Sequence, residues 1–223
     1  MVPKDGSTFP GWSTASAFTI RELLAIVAVL SLLIVVIFPG VTPARKRAQT
    51  EACKKNLKQI GLGFRTWALS GDQYPGRTQI AGGGVLELVE TGQAFIHFRS
   101  LSNDLASPRI LVCPADPIKQ AATNFHVRFG ESNVSYFVGA DASDIAPQMI
   151  LTGDRNLAHD QQPIGPGLFV LATNDPRLSW TRNLHGSCGN IGFADGSVKL
   201  LSSKELTTSA REQGEPTNRL CIP

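Results

Sequence analysis

The sequence predicts an α+β fold: a long N-terminal helix, its first half in a membrane and its second half packed on a small antiparallel sheet domain. Three observations lead there. Residues 23–38 (LLAIVAVLSLLIVVIF) carry no charge. After them, apolar side chains recur at helical spacing between basic ones. The C-terminal half then breaks into short strand-like runs separated by Gly, Pro, Asp and Asn.

The apolar run holds sixteen residues, thirteen of them Leu, Ile, Val or Phe. At roughly −0.3 to −0.6 kcal/mol each, those side chains favour the bilayer by about 4 to 8 kcal/mol. As a helix the run measures only ~24 Å, against ~30 Å of hydrocarbon. Starting it at Phe18 closes the gap but takes in Arg21 and Glu22. A carboxylate at that depth is expensive and by default marks a function. A cleaved secretory signal fits poorly, because Pro39-Gly40-Val41-Thr42-Pro43-Ala44 makes a bad cleavage site.

Next, Ala48, Ala52, Cys53, Leu57, Ile60, Phe64 and Trp67 form one stripe, with Arg45, Lys46, Lys54, Lys55, Lys58 and Arg65 between them. This predicts an amphipathic helix over residues 43–70, ended by Ser70-Gly71-Asp72 and Tyr74-Pro75-Gly76. Residues 85–89 suit a short helix. Residues 133–138 (NVSYFV), 149–151 and 168–172 (LFVLA) read as strands, and Gly153-Asp154-Arg155-Asn156 reads as a polar turn. Residues 190–194 and 197–201 read as a hairpin closed by Asp195-Gly196, with positive φ expected at both central turn residues.

Composition excludes several functions. The 42% hydrophobic content supports a core, and 21 Lys+Arg against 18 Asp+Glu, without a basic–aromatic stripe, argues against nucleic acid. No Gly-x-Ser-x-Gly elbow accompanies His185, Ser187 and Asp195, and the histidines lack zinc-protease spacing, so no enzyme is expected. His185 and Asp195 stand nine residues apart. Either they shape a loop and a turn, or together with Asp154 they form a binding or metal site. Two such residues are too few to name a metal. Cys53, Cys113, Cys188 and Cys221 allow three disulfide connectivities in an oxidising compartment.

The segment Ser16-Ala17-Phe18-Thr19-Ile20-Arg21-Glu22-Leu23 resembles the prepilin signal of type IV pilins and type II secretion pseudopilins. The resemblance implies a leader over residues 1–17, cut between Ala17 and Phe18 by a prepilin peptidase that methylates Phe18. Glu22 is then fifth in the mature chain, where the family uses it in assembly. Residues 18–42 would be the membrane part of the helix, kinked at Pro39, and residues 71–223 an extracytoplasmic domain. Ala17 replaces the family's usual Gly, and Arg21 stands where an apolar residue is usual. Cys53-Lys-Lys-Asn56-Leu57-Lys-Gln59-Ile60-Gly61, Cys113-Pro114 and the C-terminal His185-x9-Asp195-Gly196 are similar to a pseudopilin-like group marked by that last motif. The expected function is a structural subunit of a secretion or pilus-like assembly in the inner membrane. Its expected partners are prepilin peptidase, other pseudopilins, the inner-membrane secretion platform and membrane lipids. Counting basic residues alone would instead put the C-terminal part inside. The alternative function is a membrane-anchored binding module for an envelope glycan or Ca²⁺; no other cofactor is expected. In an exported domain the pairs expected are Cys53–Cys113, tying helix to sheet, and Cys188–Cys221, pinning the tail.

Overall fold

The computed structural model describes residues 19–71 and 73–223, and of residues 35–41 the backbone alone. The predicted leader and the cleavage residues Ala17 and Phe18 therefore lie outside the described residues. Helix α1 is assigned without a break over Ile20–Gly71. The chain divides into two compact units, Met1–Ala44 and Arg45–Pro223.

In the first unit, Thr19 and Glu22 cap the start of α1 reciprocally. Glu22 N donates to Thr19 Oγ1 at 3.3 Å, and Thr19 N donates to Glu22 Oε2 at 2.9 Å. This is the capping-box pattern, which satisfies two donors that a helix start leaves open. Ten large apolar side chains follow up to Ile34, each between 45% and 77% exposed and spread round the helix. Ser31 donates its hydroxyl to the Ala28 carbonyl at 2.9 Å, so the one polar side chain from Leu23 to Ile34 is satisfied within the helix. Among the described residues no helix is long and apolar enough to cross a membrane. The end of the apolar run, residues 35–38, and the expected kink residue Pro39 lie outside the described side chains.

The second unit is α+β, built on antiparallel sheet. Strands β1 (Tyr136–Gly139), β2 (Ile150–Asp154), β5 (Gly167–Ala172), β7 (Cys188–Phe193), β8 (Val198–Ser202) and β9 (Thr217–Ile222) form one sheet. Its order is β5-β9-β1-β2-β7-β8, with every neighbouring pair antiparallel. A smaller sheet orders β4 (Gln162–Pro163), β3 (Leu157–His159) and β6 (Leu178–Trp180) as β4-β3-β6.

Side-chain alternation along the central strands splits the core into two layers. Tyr136, Val138, Leu151 and Cys221 face the stripe Cys53, Leu57, Ile60 and Phe64 of α1, with Phe98 of helix α2 (Ala94–Ser100). Phe137, Ile150, Leu220 and Ile222 face the other way, onto Leu157, Trp180 and the residues Leu206 and Ala210 of helix α3 (Ser203–Glu212). The central strands are thus buried on both faces. Gly63 lets α1 approach closely, since a Cβ there would meet Leu105 Cδ2 at 2.6 Å.

Ser202 caps α3: its hydroxyl accepts from Glu205 N at 3.4 Å, and its own N donates to Glu205 Oε2 at 2.8 Å. Ser202→Ala is expected to lower stability by about 1 kcal/mol, read as a shift in the urea midpoint.

Three expectations need correction. The 195–196 turn is not a two-residue primed turn. Gly196 N donates to Phe193 O at 2.9 Å, and only Gly196 (φ 83°) has positive φ, neither Ala194 nor Asp195. The turn therefore spans Ala194-Asp195 and closes through a left-handed glycine, the longer hairpin connection. Gly153 and Asp154 are no exposed turn but the buried end of β2. Cys188 and Cys221 are free. Strands β7 and β9 are separated by β1 and β2. Three strand spacings put their axes about 14 Å apart, twice the Cα separation a disulfide spans.

Candidate functional site

The side chains with chemistry converge where α1, the segment after a 3₁₀ turn (Pro108–Leu111), the end of β2 and the loop before β7 meet. Cys53 on α1 and Cys113 form a disulfide with Cα atoms 5.2 Å apart and a sequence separation of 60. Both are fully buried. One helical turn before Cys53, Thr50 shares its face. β2 carries Asp154 in at its end, and the loop after β6 carries His185.

His185 is the hub. Its Nε2 lies 3.4 Å from Cys113 Sγ and 3.4 Å from Asp154 Oδ2. Its Nδ1 lies 3.1 Å from Thr50 Oγ1. The Thr50 hydroxyl donates its single proton to the Lys46 carbonyl at 3.1 Å. With its proton on that carbonyl, the hydroxyl accepts toward His185, and in that arrangement the imidazole proton sits on Nδ1 and Nε2 keeps a lone pair. The backbone just after His185 is constrained: Gly186 and Ser187 both have φ of 67°. A left-handed serine costs of order 1 kcal/mol, and such strain clusters at functional sites.

Asp154 Oδ2 accepts from Asn190 N at 2.6 Å and from Asn190 Nδ2 at 2.9 Å. Its Oδ1 has no hydrogen-bond partner among the described residues. Burial pushes this carboxyl up to about 7, against the lowering effect of the two Asn190 bonds. Burial also holds the His185 imidazole below its ordinary value. Nearby, Asp116 is paired with Arg155 through two bonds of 2.7 and 2.9 Å. Desolvation raises the Asp116 carboxyl, but the Arg155 guanidinium and the Ile118 N–H together outweigh it and hold the group below the usual range. A cavity of about 220 Å³ lies over the His185 loop, lined by Lys46, Gln49, Thr50, Arg182 and Asn183 among others.

The two members of the His-x9-Asp pair do not meet. The six-residue strand β7 separates them, a span of about 20 Å. Asp195 serves its turn: Oδ1 accepts from Ser197 N at 2.7 Å, and its carbonyl accepts from Arg65 Nη1 at 3.0 Å. Of the residues weighed as ligands, His185 and Asp154 come together and Asp195 does not. Thr50 and Asn190 were not anticipated, although Thr50 stands three residues before Cys53, a spacing that places it on the same helix face. No bond joins Ser187 to His185 or Asp195 among the described residues, so a serine triad does not form.

Cys221 has a different setting, with Sγ 3.5 Å from His97 Nε2. Burial pushes this thiol up to about 12 and the imidazole down to about 4, so both are neutral and serve the core. No protein-family model matches the chain, and no curated protein or solved structure does so either.

Proposed function

We propose that the chain is a pseudopilin-like structural subunit of a type II secretion or type IV pilus-like assembly. In this reading prepilin peptidase cuts before Phe18, the apolar part of α1 anchors the chain in the inner membrane, and the second unit stands on the extracytoplasmic side. No catalytic role is assigned. The observation that carries the reading is the apolar surface from Leu23 to Ile34, exposed on every side of the helix. Such a surface calls for lipid or for the helices of other copies, because water does not tolerate a helix apolar all round. The Cys53–Cys113 disulfide agrees with an oxidising compartment.

Intact mass of the membrane-extracted chain tests the proposal. The expected N-terminus is N-methylated Phe18; an intact Met1 overturns it. Glu22 needs a refined test, because its carboxylate also caps the helix through Thr19. Glu22→Ala would remove charge and cap together. Glu22→Gln keeps an acceptor for Thr19 and removes only the charge. Its expected phenotype is loss of incorporation into the assembly with membrane location unchanged, by co-purification with other subunits. The second reading, an anchored binding module, draws on the cavity at His185 and predicts indifference to that change.

A further inference from the structure

Four potential ligand atoms from four separate segments lie within 4.8 Å of one another: Cys53 Sγ, Cys113 Sγ, His185 Nε2 and a carboxylate oxygen of Asp154. Every one of them presents lone pairs. The Thr50 hydroxyl stands 3.1 Å from Nδ1, the nitrogen on the far side of the ring, so Nε2 is the one turned to the group. Asp154 Oδ2 is already an acceptor, and Oδ1 is unpartnered among the described residues. Two sulfurs, an imidazole nitrogen and a carboxyl oxygen brought together in a buried place are the ligand types a divalent cation takes once the thiols give up their protons.

The distances suit one kind of cation. In a tetrahedral zinc site, with bonds near 2.0 Å to nitrogen or oxygen and 2.3 Å to sulfur, neighbouring ligand atoms stand about 3.3 Å (nitrogen to oxygen) to about 3.8 Å (sulfur to sulfur) apart. His185 Nε2 stands 3.4 Å from Cys113 Sγ and 3.4 Å from Asp154 Oδ2. Thr50 supplies the hydrogen bond to the second ring nitrogen that orients a ligating imidazole. Two sulfurs, one imidazole and one carboxylate are far too soft and too few for Ca²⁺, which takes six to eight oxygens.

We infer that, when Cys53 and Cys113 are thiols, they form with His185 and Asp154 a four-coordinate site for a zinc-class divalent ion, so that disulfide and metal are alternative occupants of one place. Conversion needs an external dithiol as reductant. The dithiol is oxidised to its own disulfide, its two hydrogens pass to Cys53 and Cys113, and the incoming ion then displaces both thiol protons. Thr50 is a positioning residue. The inference does not depend on the membrane reading.

The test uses the full chain in detergent, purified reduced and oxygen-free, and the same chain after oxidation. The reduced form is expected to bind one zinc per chain and the oxidised form none. X-ray absorption at the zinc edge should count two sulfur and two nitrogen or oxygen neighbours, a readout that needs no substitution. Cobalt in the same site should give a tetrahedral spectrum with thiolate charge transfer. Thr50→Val should weaken zinc binding by about 10- to 100-fold. His185→Gln and Asp154→Asn should weaken it at least as much, and Cys188→Ser should leave it unchanged. A reduced wild-type chain that takes up no zinc, a sulfur count other than two, or an affinity unmoved by both His185→Gln and Asp154→Asn would overturn the inference.

Discussion

Replacing Cys53 and Cys113 together by alanine is expected to lower the unfolding free energy of the oxidised chain by about 4 kcal/mol. The bridge closes a loop of 60 residues, and chain entropy for a loop of that length gives about 4 kcal/mol at 25 °C. Against a typical total of roughly 5 to 15 kcal/mol, this is a large share. The effect is amplified by what the bridge joins. Cys53 belongs to the α1 stripe with Leu57, Ile60 and Phe64, and Cys113 leads into the segment holding Asp116 against Arg155. Losing the tie leaves the helix held to the layer it covers by packing and hydrogen bonds alone. Urea unfolding of the double variant and of the oxidised wild type measures the difference, and a fall under about 1 kcal/mol would refute the estimate. The reduced wild type should recover stability when zinc is added, whereas the double variant should not. That contrast separates loss of a tie from loss of a site.

The part of this fold legible in the sequence is the part written in local periodicity. The stripe from Cys53 to Phe64 spaces its residues by three and four, so a single helix face could be read directly. The runs that became β1, β2 and β5, and the hairpin around Asp195-Gly196, are short and bounded by turn residues. What escaped depends on strand order. β9 inserts between β5 and β1, and its segment TNRLCI carries polar residues that mask a strand pattern. Without that order, Cys221 looked free to meet Cys188. Asp154 failed for a related reason. Gly-Asp-Arg-Asn has the composition of a turn, yet the sheet centre buries its first half, and no local signal distinguishes a buried sheet end from a surface turn. The pairing of Asp154 with His185 is set by β2 and β7 lying side by side. The nine-residue spacing to Asp195 was the visible pattern, and it joins two ends of one strand.

Asp154→Asn is expected to stabilise the disulfide form at pH 8 by roughly 3 kcal/mol and to expose an opposite pH dependence beneath it. Burial moves the Asp154 carboxyl from an ordinary 3.8 up to about 7. Between those values the folded chain holds a proton that the unfolded chain has released, so stability falls as pH rises. About three pH units at ~1.4 kcal/mol each bound the loss near 4 kcal/mol. His97 works the other way. Burial lowers its imidazole from 6.5 to about 4, so between those values the unfolded chain binds the extra proton and stability rises with pH. The two slopes oppose each other from about pH 4 to 6.5 in the wild type. Removing the carboxyl leaves the His97 slope, joined by that of His185, whose imidazole burial also lowers, so the variant should gain stability across that window more steeply than the wild type. An asparagine keeps both Asn190 bonds through its amide oxygen, while its amide NH₂ stands where Oδ1 now has no partner among the described residues, which offsets part of the gain. Urea midpoints at pH 4.5, 6.5 and 8 decide the matter, and a variant less stable than wild type at pH 8 would refute it. The same change is expected to weaken zinc binding in the reduced form. One substitution then acts with opposite signs on stability and on binding, which damage to the fold would not do.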